Sequence, residues 1–245
     1  MEGWQVPALL AGGFVCGVTN ALAGGGSFVT LPLLLWIGLP PQIANATNRV
    51  AIVLQCGTGI GAYHQHGVRP WKHVIALVAP SVAGALLGAY LAAKVDEAVF
   101  RHAAAILFLL MAGTVFINPN SWNRAEGKGH LRARLYPLFF LMGVYGGFLQ
   151  AGIGVVLIST LVLLGGFDTV HGNALKFAIT LVFTAASLVL FAGLGQVRWG
   201  IGLCLSAGTM AGGYVGARLV MTKGARWVRI FVLLGVAAGV VKLLW

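Results

Sequence analysis

The chain is a succession of apolar runs from Gln5 to Leu244. Several approach the ~20 residues that an α-helix needs to cross a bilayer. Of its 245 residues only 9% are charged, where a soluble domain carries about a quarter. The runs are continuous rather than alternating, which argues against a β-barrel. The fold class that follows is an all-α polytopic membrane protein of about eight hydrophobic segments.

The net charge of +11 comes from 16 Lys and Arg against 5 Asp and Glu. The basic residues sit mostly at span ends and in short loops, as the positive-inside rule expects. No exposed domain carries a basic face, so nucleic acid is not an expected partner. Cys16, Cys56 and Cys204 lie in apolar runs and read as small buried hydrophobes, with no CxxC pair and no metal cluster. Ala21-Leu22-Ala23 has the look of a signal-peptidase site. Yet the first basic residue is Arg49 and Glu2 precedes the apolar run, so a cleaved signal peptide is not expected.

Two of the runs are broken by glycine. Gln5–Leu22 stops at Gly24-Gly25-Gly26, and a short apolar arm, Ser27–Ile37, follows before the turn Gly38-Leu39-Pro40-Pro41. Glycine in a helix interior is about 1 kcal/mol worse than alanine. Broken backbone at membrane depth is tolerated only inside protein or along a cavity. The pattern then restarts. Leu135–Gln150 runs into Ala151-Gly152-Ile153-Gly154, and the arm Val155–Leu164 ends at Gly165-Gly166-Phe167-Asp168. Full spans are expected at Ala44–Tyr63, His73–Ala93, Val99–Ile117, His171–Leu194, Trp199–Ala217 and Arg226–Leu244.

A constant offset of 128 residues aligns the two halves without gaps. Gly24 meets Gly152, Gly26 meets Gly154, Gly38 meets Gly166 and Gly67 meets Gly195. Asn45-Ala46 meets Asn173-Ala174, Trp71 meets Trp199, and Gly84 and Gly88 meet Gly212 and Gly216. Gly84 and Gly88 also form a GxxxG face suited to close helix contact. The domain reading is a first repeat over 1–117, a linker loop over 118–134, and a second repeat over 135–245. Such repeats are typical of secondary transporters, with the substrate held near broken helices at their interface.

Charge orients the halves. If each glycine break returns the chain to the side it entered from, each repeat is a re-entrant hairpin plus three crossings, and the halves are inverted. One side then carries Arg69, Lys72, Arg124, Lys128, Arg132, Arg134, Lys176, Arg218, Lys223, Arg226 and Arg229. The other carries Arg49, Lys94, Arg101, Arg198 and Lys242. If the arms cross fully, the basic residues divide evenly and no orientation is preferred. The first arrangement satisfies the positive-inside rule. It places both termini outside and the Asn118–Arg134 loop in the cytoplasm.

The expected chemistry follows from the breaks. Helix ends with glycine expose backbone N–H groups to which a small anion can come close. The alternative role for these glycines is tight helix crossing alone. Asn20, Ser27 and Gln150 flank the breaks, and Asn45, Asn48, Asn173 and Lys176 follow the turns at matched positions. Amides can donate to an anion without the cost of a buried charge; their other role is to cap a helix after a turn. Arg49 and Lys176 either snorkel to the headgroups or supply a countercharge. The candidate substrate-binding set is Asn20, Gly24, Gly25, Gly26, Ser27, Asn45, Asn48, Arg49, Gln150, Gly152, Gly154, Asn173 and Lys176. No carboxylate lies mid-span, which disfavours a carboxylate relay or an acidic-ring cation channel. Asp168 and His171 read as a turn and cap more readily than as a coupling pair. There is no Ser-His-Asp order, P-loop or dinucleotide fingerprint, so no enzyme activity and no cofactor are expected.

Asn20-Ala-Leu-Ala-Gly-Gly-Gly-Ser-Phe-Val-Thr-Leu-Pro-Leu-Leu-Leu, followed by Gly38-Leu-Pro-Pro-Gln-Ile-Ala-Asn-Ala-Thr-Asn, resembles the first signature of the TauE/SafE sulfite exporter family. Gly147–Gly154 with Gly172-Asn173-Ala174-Leu175-Lys176 is similar to its degenerate second half. The resemblance covers essentially the whole chain. It implies a bacterial inner-membrane transporter of small sulfur-containing anions such as sulfite, sulfoacetate or thiosulfate, and in several members export. Arg49 departs from the small or hydroxyl residue expected after Asn-Ala-Thr-Asn, and marks either a different anion or a cap on the site. The reading is therefore a secondary carrier of a small anion working in a lipid bilayer, with a coupling ion and a homo-oligomeric state both open. A passive anion channel and an importer are the alternatives.

Overall fold

The computed structural model describes residues 3–68, 71–114 and 135–223. The linker loop Asn118–Arg134 and the span Arg226–Leu244 fall outside them. Every described element is helical. The first half contains α1 (Gln5–Ala23), α2 (Ser27–Trp36), α3 (Pro41–Gln65), α4 (Trp71–Lys94) and α5 (Glu97–Thr114). The second contains α6 (Leu135–Phe148), α7 (Ile153–Ser159) running into a π-helical turn (Thr160–Leu164), α8 (Thr169–Gly193) and α9 (Trp199–Lys223).

The offset of 128 maps the bounds of α3 onto those of α8 at both ends, and α4 starts in register with α9. It also accounts for the backbone. The glycines with left-handed φ pair at this offset: Gly24 with Gly152 (78° and 75°), Gly38 with Gly166 (93° and 69°), and Gly67 with Gly195 (79° and 69°). A side chain rarely adopts this region, so glycine is required where the chain leaves a helix or turns. The departure from the pattern is Gln150, a non-glycine with φ 66° in the second break.

The halves embrace each other. Among the described residues the most extensive packing is α1 against α9 and α4 against α6. The first helix of each half thus lies on the fourth helix of the other. α3 and α8 meet at the centre. The crossings are glycine-lined, because a Cβ at Gly84 or Gly88 would enter the α6 backbone at Phe140 and Val144. A Cβ at Gly208 or Gly212 would do the same at Leu10 and Phe14 of α1. Small residues let backbones approach where lipid supplies no hydrophobic drive between helices.

By length and composition, three described helices can cross a membrane: Gln5–Leu22, Val74–Lys94 and Thr169–Gly193. The expected span in α9 is absent from that set, as is that in α3, although α3 has 25 residues. Its apolar character is diluted by Asn45, Asn48, Arg49 and Gln55, all of them buried. The helix is polar because it is central, not because it leaves the protein. The arms after the breaks are short. α2 has 10 residues, about 15 Å of helix, half the thickness of the hydrocarbon.

Candidate functional site

The two helix breaks meet. A Cβ on Gly24 would collide with the backbone of Gly154, and one on Gly154 would collide with that of Gly24. The contact is backbone against backbone, which is why neither position accepts a side chain. Next to it lies a small cavity lined by Asn20, Gly24, Ser27, Gln150, Gly154 and Lys176 of the expected set. Ile52, Cys56, Ile153, Phe177 and Thr180 complete the lining. Its space is on the order of one water molecule. The other expected residues lie around it. Gly26 packs on Cys16 and Asn20, Gly25 is half-buried, and Gly152 turns the second break.

The matched asparagines perform matched tasks. Asn45 Nδ2 donates to the carbonyl of Phe148 at the end of α6, at 2.8 Å. Asn173 Nδ2 donates to the carbonyl of Ala21 near the end of α1, at 2.7 Å, and to Tyr63 Oη at 3.0 Å. Each half therefore satisfies carbonyls that the other half's broken helix leaves without intrahelical partners. Neither asparagine caps its own helix; both lie inside it. The cap of α8 is Asp168, which accepts from the backbone N–H groups of Val170 and His171. Its exposed pairing with His171, at 2.5 Å, belongs to that turn.

The two buried cations, at adjacent register positions, also donate to carbonyls at the end of the other half's broken helix. Arg49 is 0% exposed and Lys176 2%, so neither snorkels. Arg49 donates from Nη1 to the Gly146 carbonyl (3.1 Å) and to Gln150 Oε1 (3.1 Å), and from Nη2 to the Gly147 carbonyl (2.5 Å). Its guanidinium lies 4.9 Å over the Phe191 ring. Lys176 Nζ donates to the Asn20 carbonyl (2.8 Å) and the Ala21 carbonyl (3.5 Å), and sits 4.8 Å over the Phe177 ring. Helix C-termini carry a partial negative charge of about half a unit, so cations belong there. A central Arg or Lys costs roughly 2.5–3.5 kcal/mol on insertion scales. Hydrogen bonds from a charged donor contribute roughly 1.5–3 kcal/mol each, enough for Arg49's three to outweigh that cost. The described ion pairs, Arg101–Glu97 and His171–Asp168, lie elsewhere and are exposed. No described carboxylate neutralises Arg49 or Lys176.

The remaining polar contacts tie the breaks together. Asn20 Nδ2 donates to Gln55 Oε1 (3.0 Å), and Gln55 Nε2 donates to the Gly17 carbonyl (3.2 Å). Asn48 Nδ2 donates to Ser27 Oγ (3.2 Å) at the start of α2. Gln150 Nε2 donates to Thr184 Oγ1 (2.5 Å), and Tyr145 Oη donates to the Ala151 carbonyl. Gln55, Thr180 and Thr184 were not among the expected residues. For the threonines a signal was present: Lys176, Thr180 and Thr184 recur every four residues, one face of a helix. The arrangement is a small enclosed space between two helix breaks, with a lysine, a helix N-terminus at Ser27 and several amide donors around it. Such a space can hold a small anion once it widens.

Comparison with known proteins places the chain in a family. The profile of the family described as "Sulfite exporter TauE/SafE" matches residues 9–243. A "Probable membrane transporter protein ORF9" from Sinorhizobium sp is 29% identical over 241 residues, 95% of this chain and 90% of that protein. A "Probable membrane transporter protein" from Haemophilus influenzae is 29% identical over 224 residues, 91% of this chain and 88% of its own length. The "Probable membrane transporter protein YfcA" of Escherichia coli K12 is 28% identical over 243 residues, covering 94% and 86%. No solved structure matches the chain. A match over nearly the whole length makes this chain a member of the TauE/SafE sulfite exporter family, a family of membrane transporters.

Proposed function

We propose that the chain is a secondary transporter that exports small sulfur-containing anions, sulfite or a close relative, across the bacterial inner membrane. The observation that carries the reading is the pair of buried cations, Arg49 and Lys176, at two touching helix breaks with no described carboxylate nearby. Positive potential without an acidic partner suits an anion and repels a cation. The halves act as inverted repeats, re-entrant at the breaks, and rock about the contact of α3 with α8 to open the cavity alternately to each side. Asn20, Ser27, Gln150 and Lys176 reach the anion. Asn45, Asn173 and Arg49 hold the breaks in shape.

The orientation rests on loop charge. Lys176 and Arg49 are removed from that count, because both are buried at the breaks rather than placed at a headgroup surface. The excess on the side of Arg69, Lys72 and the Asn118–Arg134 loop stands without them, which puts that side in the cytoplasm and both termini in the periplasm. Single cysteines at Gly38 and Gly127 test this; only the first is labelled from outside if the halves are inverted. A closed cavity of about one water favours a carrier over an open anion channel. Ion-dependent, saturable flux of sulfite in proteoliposomes is the expected result. Single-channel conductance, or flux of a neutral or cationic solute in place of the anion, overturns the proposal.

A further inference from the structure

The hydroxyls on these helices share a habit. Thr19, Thr58, Ser81, Ser187 and Ser206 each donate back to the carbonyl four residues earlier, at 2.6–3.0 Å. This is the ordinary way a helical hydroxyl satisfies itself in an apolar setting. Thr180 does not follow it. Its side chain is buried, the residue being 7% exposed, and its Oγ1 has no partner. It lines the cavity one helical turn from Lys176 on the same face of α8. Ser159 Oγ also lacks a partner, but Ser159 is not part of the cavity lining.

A buried hydroxyl left unpaired costs about as much as a lost hydrogen bond, so an orphan beside a cavity points to an absent partner. The walls narrow what that partner is. The repeat places Ile52 opposite Thr180 in register, and Ile52, Ile153 and Phe177 form an apolar side. Lys176 is the one charged side chain in the lining and brings at most one positive charge. Arg49 is committed to the carbonyls of Gly146 and Gly147 and to Gln150. A second negative charge would lose its water with no cation to meet it.

We infer that Thr180 Oγ1 is a direct, specificity-determining contact to the transported anion, which together with Lys176 makes the site select singly charged oxyanions, hydrogen sulfite in the case of sulfite, over doubly charged ones. The inference rests on the anion-transport reading above. Binding draws Lys176 Nζ toward the anion, with the Thr180 hydroxyl donating to a second oxygen of the same group.

The full chain in proteoliposomes tests this with methanesulfonate and acetate as monoanions and sulfate as the dianion. The wild type is expected to carry or bind a monoanion and to leave sulfate behind by at least about tenfold. Thr180→Val, which keeps the shape and removes the donor, raises the monoanion KM by about tenfold with an unchanged melting temperature. Thr180→Ser recovers most of the loss. A Thr180→Val protein with wild-type KM, or sulfate handled as well as the monoanions, overturns the inference and leaves the transport reading standing. No movement of any anion by the wild type overturns both. If Thr180→Val melts early, Thr180→Ser decides: a restored fold without restored KM also overturns the inference.

Discussion

The two helix breaks share one construction and differ in how they are closed. At the end of α6, Arg49 spreads three hydrogen bonds over Gly146, Gly147 and Gln150, and Arg49 is not part of the cavity lining. At the end of α1, Lys176 holds the Asn20 carbonyl closely and that of Ala21 loosely, and its residue lines the cavity. A guanidinium is a rigid fork that fixes several acceptors at once, whereas an ammonium is a point donor on a flexible stem. One break is therefore fastened and the other is latched.

The largest expected effect breaks the fastened side. Arg49→Leu leaves the Gly146 and Gly147 carbonyls and the Gln150 amide without their donor, and should destabilise the detergent-purified protein by roughly 3–5 kcal/mol, the range for breaking a buried charged contact. Arg49→Lys should recover only part of the melting temperature. Full recovery would erase the distinction between fastener and latch. Lys176→Ala should cost less stability, about 1–3 kcal/mol, yet abolish anion flux.

The glycines sharpen the comparison at a smaller scale. Gly24 and Gly38 both have left-handed φ. Gly24 abuts Gly154, while nothing lies within 4 Å of a Cβ at Gly38. Gly38→Ala should therefore carry only the backbone penalty, about 1–2 kcal/mol. Gly24→Ala adds a backbone collision and should be clearly worse in thermal melts. The smallest effects belong to Asn45→Ala and Asn173→Ala. Each removes donors from one helix end, and each should cost about 1 kcal/mol. A large inequality between them would mean that the halves do not cap each other in the same way.

Much of this was readable from the chain. Glycine runs inside apolar stretches located both breaks, because few other residues leave a helix so abruptly. The 128-residue offset then aligned the glycines that turn out left-handed, whereas the expected span Ala44–Tyr63 fell short of α3 at both ends and Trp199–Ala217 short of the end of α9. What could not be read were contacts between halves. Asn45 to Phe148 and Asn173 to Ala21 join residues more than a hundred positions apart, and no local pattern distinguishes such a donor from a helix cap. Arg49 and Lys176 looked able to reach the headgroups because a long basic side chain at a span end usually does. Here Arg49 and Lys176 lie on the buried faces of α3 and α8, so both cations point inward. Thr180 and Thr184 were legible in principle from their spacing to Lys176. Threonine is simply so common in helices, back-bonded and silent, that the stripe carried little weight by itself.

The central claim is that the latched break holds the anion. Sulfite flux through proteoliposomes containing Lys176→Ala, compared with wild type at matched insertion and well below the melting temperature of the variant, tests it most directly. Saturable wild-type flux falling by at least about tenfold in the variant, the loss expected for one charged hydrogen bond, is the predicted result. A well-folded Lys176→Ala protein that moves sulfite at the wild-type rate would contradict it.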